Sequence, residues 1–376
     1  MDIRNMQRRR VVGGLLAGGG LLASGAKAAP PRTLQAPSRV GIAVVGLGEY
    51  AAFALERLAA CRTAYPAALV TGSRDKARAL AARYGIPDTA IHGYDDYARL
   101  ADDARIAAVH ICLPVGLHAP HALKALAAGK HVLCEKPLAA TAAEARMLAD
   151  AARTAGKVLM PAYRAWFSEA VQDALRRCRD GTHGALASVD AHKGFHLRQP
   201  AGNWRFDPVL SGGGCLTDIG IYSVQLQRWA CGGLPRSVTA IAHRQPGDAR
   251  FAQVESDIGW VARFDGGVLA TGSASWRYRL QNRLRLGFEQ AWLDIDPATP
   301  AMGERVRLGL DGPNRVEEPM FPLRDQVPRM YEAFADACLG RSAPPVAASD
   351  GIADLVVMEA IRQAAASGAT VVLPPG

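Results

Sequence analysis

The chain has 376 residues, of which 49% are hydrophobic and 21% are charged, a composition that excludes a disordered or fibrous chain and predicts two globular domains with ample cores. The formal net charge of +9 at pH 7 includes the first 28 residues, which hold five basic residues and one acidic residue. The rest carries 39 basic against 34 acidic residues, or +5, and this mild excess does not favour nucleic acid as a partner.

Residues 1–28 have the order of a cleavable export signal. Three arginines at 8–10 precede a glycine-rich apolar run at 11–23, and small residues flank Lys27 after it. The run is too short for a membrane-spanning helix, which needs about 20 apolar residues. Adjacent arginines before a weakly hydrophobic run indicate the twin-arginine export machinery as a partner, with an ordinary secretory signal as the alternative. We expect cleavage near Ala28 and a periplasmic protein without stable membrane anchoring.

A dinucleotide fingerprint follows a short arm, residues 29–39, and a predicted strand at Val40 to Val45. The turn Gly46-Leu47-Gly48-Glu49-Tyr50-Ala51 has the G-x-G-x-x-A form, in which free N–H groups at a helix start bind a pyrophosphate. Apolar runs recur at 67–71, 107–113 and 130–134 between helical patterns. This alternation predicts an α/β fold whose residues 40–160 form a Rossmann domain with a doubly wound parallel sheet. Gly46, Leu47, Gly48, Glu49 and Tyr50 are its first predicted cofactor contacts.

The end of the second predicted strand indicates which nicotinamide nucleotide binds. An Asp or Glu usually meets the adenosine ribose at this place when the cofactor is NAD. The chain instead has Ser73 and Arg74, with Lys76 close behind. Hydroxyl, guanidinium and ammonium groups suit a 2'-phosphate, so the sequence favours NADP and predicts these three residues as contacts. Asp75 keeps NAD open as the alternative.

Two later strands end in residues that should share one edge of the sheet. Leu113-Pro114 closes one strand, and Glu135-Lys136 follows the next. Because ligands bind at the carboxyl ends of parallel strands, we expect Lys136 to project toward the nicotinamide. His118 and His121 lie three residues apart, but no third ligand follows nearby, so the sequence predicts no metal site.

From Pro161 the pattern changes to longer alternating runs such as "SVTAIAHRQ". Period-two alternation predicts an α+β domain over residues 161–376, with an open, largely antiparallel sheet and C-terminal helices. One long run places Arg277, Arg279, Gln281, Arg283 and Arg285 on one face and Tyr278, Leu280, Leu284 and Leu286 on the other. The arginine face is either solvated or part of a subunit interface.

The motifs together carry a resemblance to a known family. The fingerprint, "AGKHVLCEKPLA" and a later "GGG-x-L-x-D-I-G-I-Y" resemble the glucose-fructose oxidoreductase and aldose-aldose oxidoreductase branch of the Gfo/Idh/MocA oxidoreductases. Many members have His where this chain has Tyr222, and the tyrosine favours that branch. The resemblance implies a homodimer or homotetramer formed through the open sheet face. It also implies, as cofactor contacts, Tyr94, Leu113, Pro114, His118, Glu135, Lys136, Tyr163, Arg164, Trp204 and Arg205.

Asp218 and Tyr222 lie four residues apart in this last motif, a spacing that predicts one shared helix face. Removing a hydride from a carbinol carbon requires simultaneous removal of the hydroxyl proton. A free phenol ionises only near pH ~10, so a phenol base needs a neighbouring cation. We therefore predict Tyr222 as general acid and base, Lys136 as its electrostatic partner, and Asp218 as the group that orients the sugar hydroxyls.

The resemblance implies an exported oxidoreductase with tightly bound NADP. It would oxidise an aldose such as glucose to its lactone and then reduce a second sugar, fructose or another aldose, in the same site. The family enzyme has a long arm that covers the adenine, whereas only residues 29–39 precede the first strand here. The alternatives are a glycosidase of the same fold that uses bound NAD, a sugar dehydrogenase with exchangeable NAD(P), and a sugar-binding protein without activity.

Overall fold

The computed structural model describes residues 39–278, 281–310 and 315–374. The predicted export signal and almost all of the short arm lie outside the described residues. The elements of the first half are β1 (Val40–Val45), α1 (Glu49–Ala59), β2 (Ala64–Val70), α2 (Arg74–Tyr84), β3 (Ile91–His92), α3 (Tyr97–Asp102), β4 (Ala108–Ile111), α4 (His118–Ala127), β5 (His131–Cys134), α5 (Ala142–Ala155) and β6 (Leu159–Pro161).

These six strands form one parallel sheet in the order β3-β2-β1-β4-β5-β6. Every residue of β1 is buried, as expected for a central strand covered by helices on both faces. The strand order reverses between β1 and β4, so a crevice opens at their carboxyl ends. The predicted doubly wound parallel sheet is therefore confirmed, and its switch point lies at the fingerprint turn that follows β1.

The second half builds a larger mixed sheet. Its elements are α6 (Glu169–Asp180), β7 (Leu186–Gly194), α7 (Pro208–Ser211), α8 (Ile221–Cys231), β8 (Ser237–His243), β9 (Asp257–Arg263), β10 (Leu269–Ser275), β11 (Gln281–Phe288), β12 (Ala291–Ile295), β13 (Val306–Leu310), β14 (Val316–Glu317), α9 (Gln326–Cys338), α10 (Ala348–Ser367) and β15 (Val371–Val372). The order is β14-β13-β12-β11-β7-β10-β9-β8-β15, and every pair is antiparallel except β7 with β10. The predicted open, largely antiparallel sheet is confirmed.

The two faces of this sheet differ in polarity as the alternation predicts. On β11, Leu284 and Leu286 are buried, whereas Arg283 and Arg285 are half-buried. Arg283 pairs with the buried carboxylate of Asp294 on the neighbouring strand, so part of the arginine face is neutralised within the chain. Arg279 and Leu280 lie outside the described residues. Three exposed apolar side chains, Ile241, Val261 and Leu269, lie on β8, β9 and β10.

The C-terminal helices contact the parallel-sheet half as well as their own. Arg57 of α1 donates to Asp325 at the start of α9 over 2.7 Å, and Glu359 of α10 accepts from the Ala142 N–H over 2.7 Å. The predicted boundary at 160/161 falls inside β6, and the described residues belong to one compact unit. No helix among the described residues is both long enough and apolar enough to span a membrane.

A buried ion pair ties α8 to α10. Arg228 Nε donates to Asp354 Oδ1 over 2.6 Å, and the side chain of Asp354 is fully buried. Breaking such a pair leaves an unpaired buried charge, at a cost of about 3–5 kcal/mol. We therefore predict that Arg228→Met lowers the free energy of unfolding, measured by urea denaturation, by about that amount.

The control is Arg153→Met, which breaks an exposed pair with Asp150 on α5. Exposed pairs contribute about 0–1 kcal/mol, so this variant should unfold close to wild type. Equal effects of the two substitutions would contradict a stabilising role for the buried pair.

Candidate active site

The turn after β1 has the shape that a pyrophosphate site requires. Gly46 has φ +85°, and a Cβ there would lie 2.8 Å from the Cys112 carbonyl oxygen, so only glycine fits. A Cβ at Gly48 would meet nothing within 4 Å, which leaves the backbone open to a ligand. No side chain caps the start of α1 at Glu49, so its first N–H groups are free to bind an anion. These features fit a dinucleotide.

The predicted 2'-phosphate contacts lie together at the start of α2. Ser73 precedes the helix without capping it, and Arg74 and Lys76 are exposed on its first turn. Asp75, the residue that kept NAD open, lies 3.4 Å from Arg78 and so pairs along the helix. Tyr94 covers the neighbouring Gly72, where a Cβ would lie 3.3 Å from its ring. The cationic groups at this edge fit a phosphate.

The ring of His118 contacts the main chain just after β4 and just after β5. Its ring nitrogens lie 2.8 Å from the carbonyl oxygen of Leu113 and 2.7 Å from that of Pro137, and burial lowers the pKa of the ring. His121 instead contacts the Tyr97 hydroxyl over 2.9 Å. The two histidines therefore have different partners, and the described ranges contain no cluster of three metal-ligating side chains.

The structure brings the three predicted catalytic residues together. Lys136 Nζ donates to the main-chain oxygen of Asp218, lies 3.4 Å from Asp218 Oδ1, and lies 5.2 Å from the centre of the Tyr222 ring. Burial alone lowers the pKa of Lys136, but Asp218, Tyr222 and Glu135 outweigh it and raise the pKa above its usual value. The residue before it, Glu135, turns toward His110 over 3.3 Å. Lys136 therefore stays an ammonium at neutral pH.

Asp218 lies between two cations. Its Oδ2 is 3.4 Å from Arg205 Nε, and its Oδ1 is 3.4 Å from Lys136 Nζ. Burial alone raises the pKa of the Asp218 carboxyl. The charges and hydrogen bonds of Lys136 and Arg205 together outweigh burial, so the pKa lies below its usual value. The guanidinium of Arg205 also lies 4.6 Å from the ring centre of Trp204. The predicted pair Trp204-Arg205 thus lines the carboxylate side of the site.

The helix between Asp218 and Tyr222 is not a regular α-helix. Residues Leu216–Gly220 form a π-helical turn, and α8 begins only at Ile221. A π-helical turn has more residues per turn than an α-helix, but residues four apart still lie close together around its axis, so the shared face stays a prediction. Both side chains lie near Lys136 Nζ, which is 3.4 Å from Asp218 Oδ1 and 5.2 Å from the Tyr222 ring centre.

Two side chains that no sequence motif indicated, Glu255 and Arg362, form a clamp on this π-helical turn. The Glu255 carboxylate accepts from the N–H groups of Gly214 and Leu216, each over 3.1 Å. From the other side, Arg362 donates to the Gly212 carbonyl over 3.0 Å and to the Thr217 hydroxyl. Both clamp residues lie far along the chain from the turn, so no local spacing pointed to them.

The remaining predicted contacts separate into two groups. Arg164 donates to the carbonyl oxygens of Thr299 and Pro300, and its guanidinium lies 5.3 Å from the Tyr222 ring centre. Tyr163, in contrast, is buried with its ring 6.2 Å from that of Trp229. Arg164 therefore faces the reacting end of the site, and Tyr163 packs inside the core.

Comparison with known families identifies the fold. A model described as "Oxidoreductase family, NAD-binding Rossmann fold" matches residues 40–163, and one described as "GFO/IDH/MocA C-terminal domain" matches residues 171–294. The chain belongs to the Gfo/Idh/MocA oxidoreductase family. The resemblance predicted from the sequence motifs is confirmed, and this family member carries its Lys136, Asp218 and Tyr222 in one site.

Three relatives are similar to this chain over most of its length. The crystal structure of an aldose-aldose oxidoreductase from Caulobacter crescentus, complexed with glycerol, has a TM-score of 0.85 and 35% identity, over 89% of this chain and 100% of that one. A D-xylose 1-dehydrogenase (NADP(+)) from Haloferax volcanii is 34% identical over 311 residues, 81% of this chain and 92% of the relative. A dTDP-3,4-didehydro-2,6-dideoxy-alpha-D-glucose 3-reductase from Streptomyces violaceoruber is 34% identical over 345 residues, 85% of this chain and 95% of the relative.

We expect the clamp on the π-helical turn to support catalysis. Glu255→Ala removes the acceptor of two backbone N–H groups, each of which costs about 1–3 kcal/mol when left unpaired. The turn should shift and misplace Asp218 and Tyr222, so we expect kcat for sugar oxidation to fall at least about tenfold while nucleotide stays bound. Steady-state kinetics and nucleotide content are the measurements.

The matched control is Glu289→Ala. Glu289 also accepts from a backbone N–H, that of Ala185, at a loop outside the site. This variant should keep its kcat. Wild-type kcat in Glu255→Ala would show that the turn holds its shape without the clamp.

Proposed function

We propose that the protein is a periplasmic oxidoreductase that oxidises an aldose to its lactone with tightly bound NADP and then reduces a second sugar in the same site. The observation that carries this proposal is the convergence of Lys136, Asp218 and Tyr222 at the carboxyl end of the parallel sheet. A cation, a carboxylate and a phenol at the cofactor crevice are the groups that a reversible CH–OH oxidation needs.

The family, the cofactor and the type of reaction do not depend on that two-sugar cycle. The chain is a sugar oxidoreductase of the Gfo/Idh/MocA family that uses NADP and acts on CH–OH groups. The aldose-aldose oxidoreductase and the NADP(+) xylose dehydrogenase are both similar over most of the chain. The open backbone at Gly48 and the exposed Arg74 and Lys76 fit this cofactor.

The site residues divide the chemistry between them. NADP, when bound, supplies the hydride acceptor and the hydride donor. In sugar oxidation the ionised oxygen of Tyr222 takes the hydroxyl proton as the C–H bond breaks, and in reduction it returns that proton to the new hydroxyl. Lys136 stabilises the negative charge on the phenol oxygen. Asp218, held by Lys136 and Arg205, accepts hydrogen bonds from sugar hydroxyls and so orients the reacting carbon.

Export and assembly complete the proposal. Three arginines at 8–10 before a glycine-rich run support the twin-arginine route, by which a protein folded around its cofactor in the cytosol reaches the periplasm. Because the periplasm has no supply of diffusible NADP, a cofactor that is reduced and reoxidised in place removes the need for exchange. The exposed Ile241, Val261 and Leu269 support an assembly through the open sheet face.

A second candidate is a sugar dehydrogenase with exchangeable NADP. The short arm at 29–39 and the similarity to a D-xylose 1-dehydrogenase favour it. The two candidates differ in whether the nucleotide leaves the protein. The nucleotide content of the purified protein therefore separates them. The NAD-using glycosidase alternative would instead release sugar from a glycoside with no net redox change.

We predict that protein purified without added nucleotide contains about one NADP per chain. Glucose alone should produce nicotinamide fluorescence, because the hydride stays on the bound cofactor, and a second sugar should abolish it. Mass spectrometry of released nucleotide and a fluorescence screen of sugar pairs make the measurement. Tyr222→Phe is the matched control, since it removes one oxygen and should keep NADP while losing both half-reactions.

Nucleotide-free protein that turns over only with added NADP would replace the proposal with the exchangeable dehydrogenase. Full turnover in Tyr222→Phe would remove that residue's assigned role.

A further prediction concerns location. Replacing the three arginines at 8–10 with lysines keeps the charge but removes the residue type that the twin-arginine machinery reads. We expect the uncleaved chain to accumulate in the cytoplasm, measured by cell fractionation and immunoblotting. The control is a Lys27→Arg substitution outside the arginine group, which should leave export intact. Normal periplasmic accumulation of the triple variant would contradict the route.

A further inference from the structure

The cation nearest the centre of the Tyr222 ring, among Lys136, Arg164 and Lys193, is not the one that the motif indicated. Lys193, near the end of β7, has its Nζ 4.0 Å from the ring centre of Tyr222, compared with 5.2 Å for Lys136 Nζ. Lys193 lies in an ordinary alternating strand, so no motif of the sequence pointed to it. The large sheet carries its side chain into the site that the parallel sheet also reaches.

Lys193 has no acidic partner among the residues that the structure describes. Its Nζ donates to the Thr299 hydroxyl and lies 3.5 Å from the Thr299 carbonyl oxygen. The Asp218 carboxylate is already held by Lys136 and Arg205. Thr299 in turn is fixed by Asn282, through its N–H and its hydroxyl. Lys193 is therefore held firmly in place by neutral groups.

The surrounding charges decide when this amine holds a proton. Burial lowers the pKa of Lys193 well below its usual value, the cations of Arg164 and Lys136 lower it further, and the carboxylate of Asp218 opposes them. The groups that face the Lys193–Tyr222 pair or its immediate neighbours are Lys136, Arg164, Arg205, Asp218, Glu135 and Tyr50. A new negative charge beside the amine favours its ammonium form, and the nearest group able to acquire one is the phenol of Tyr222.

We propose that Lys193 stabilises the negative charge of Tyr222 when the phenol loses its proton, with its Nζ over the face of the ring. An ammonium over the face of an electron-rich ring is further stabilised by the cation–π interaction. This inference rests on the proposed role of Tyr222 as acid and base, and makes Lys193 a positioning residue for its charge.

The test compares Lys193→Met with Lys193→Arg. Loss of the amine removes the cation nearest the ring centre, so in Lys193→Met sugar oxidation at neutral pH should fall at least tenfold and recover as pH rises. The rate profile of Lys193→Arg should resemble that of wild type or lie at lower pH, because the guanidinium stays charged. Lys124→Met is the matched control, since Lys124 lies 5.9 Å from another tyrosine ring, that of Tyr97, outside the site. Its profile should not move.

A second readout does not depend on turnover. Phenolate absorbs in the near ultraviolet, and the part of the pH titration that Tyr222→Phe removes belongs to Tyr222. In Lys193→Met this part should appear at higher pH than in wild type. An unchanged titration, or an equal shift in Lys124→Met, overturns the inference. Turnover in Tyr222→Phe would instead overturn the proposed function, while the titration still reports on Lys193.

Discussion

The whole site depends on the ion pair between Lys136 and Asp218. Lys136 comes from the end of a parallel strand, and Asp218 comes from a π-helical turn that the second half of the chain presents. Two buried charges of opposite sign must meet with good geometry, because each is costly to bury alone. Asp218 therefore needs both Lys136 and Arg205, and the turn that carries it needs backbone support. The pair thus couples the cofactor half of the fold to the sugar half.

That support explains features that otherwise look unrelated. Gly214 leaves room for Glu255, because a Cβ there would lie 2.2 Å from the Glu255 carbonyl oxygen. Arg362 reaches the same turn from α10, the helix whose Asp354 also binds Arg228 of α8. Helix α10 in turn packs on the parallel-sheet half through Glu359. The C-terminal helix therefore fixes the position of the catalytic turn relative to the cofactor crevice.

The sequence predicted whatever depended on local pattern. The β1 strand, the fingerprint and the carboxyl-end position of Lys136 follow from periodicity and from the topology of parallel sheets, and the structure has all of them. The π-helical turn was not predicted, since Glu255 and Arg362 impose it from distant parts of the chain. Lys193 was missed for the same reason: only strand pairing between β7 and its neighbours brings it to Tyr222. Local pattern was enough to predict Lys136, Asp218 and Tyr222 as site residues, whereas long-range contacts determine how these residues are arranged.

The charge balance of the site bears on how sugars are handled. Lys136 and Arg205 share one carboxylate, while Arg164 and Lys193 face Tyr222 with neutral partners only, within the described residues. A neutral phenol leaves this region with an excess of positive charge, and an ionised phenol reduces that excess. The negative charge that Tyr222 acquires as a proposed base is therefore met by neighbouring cations.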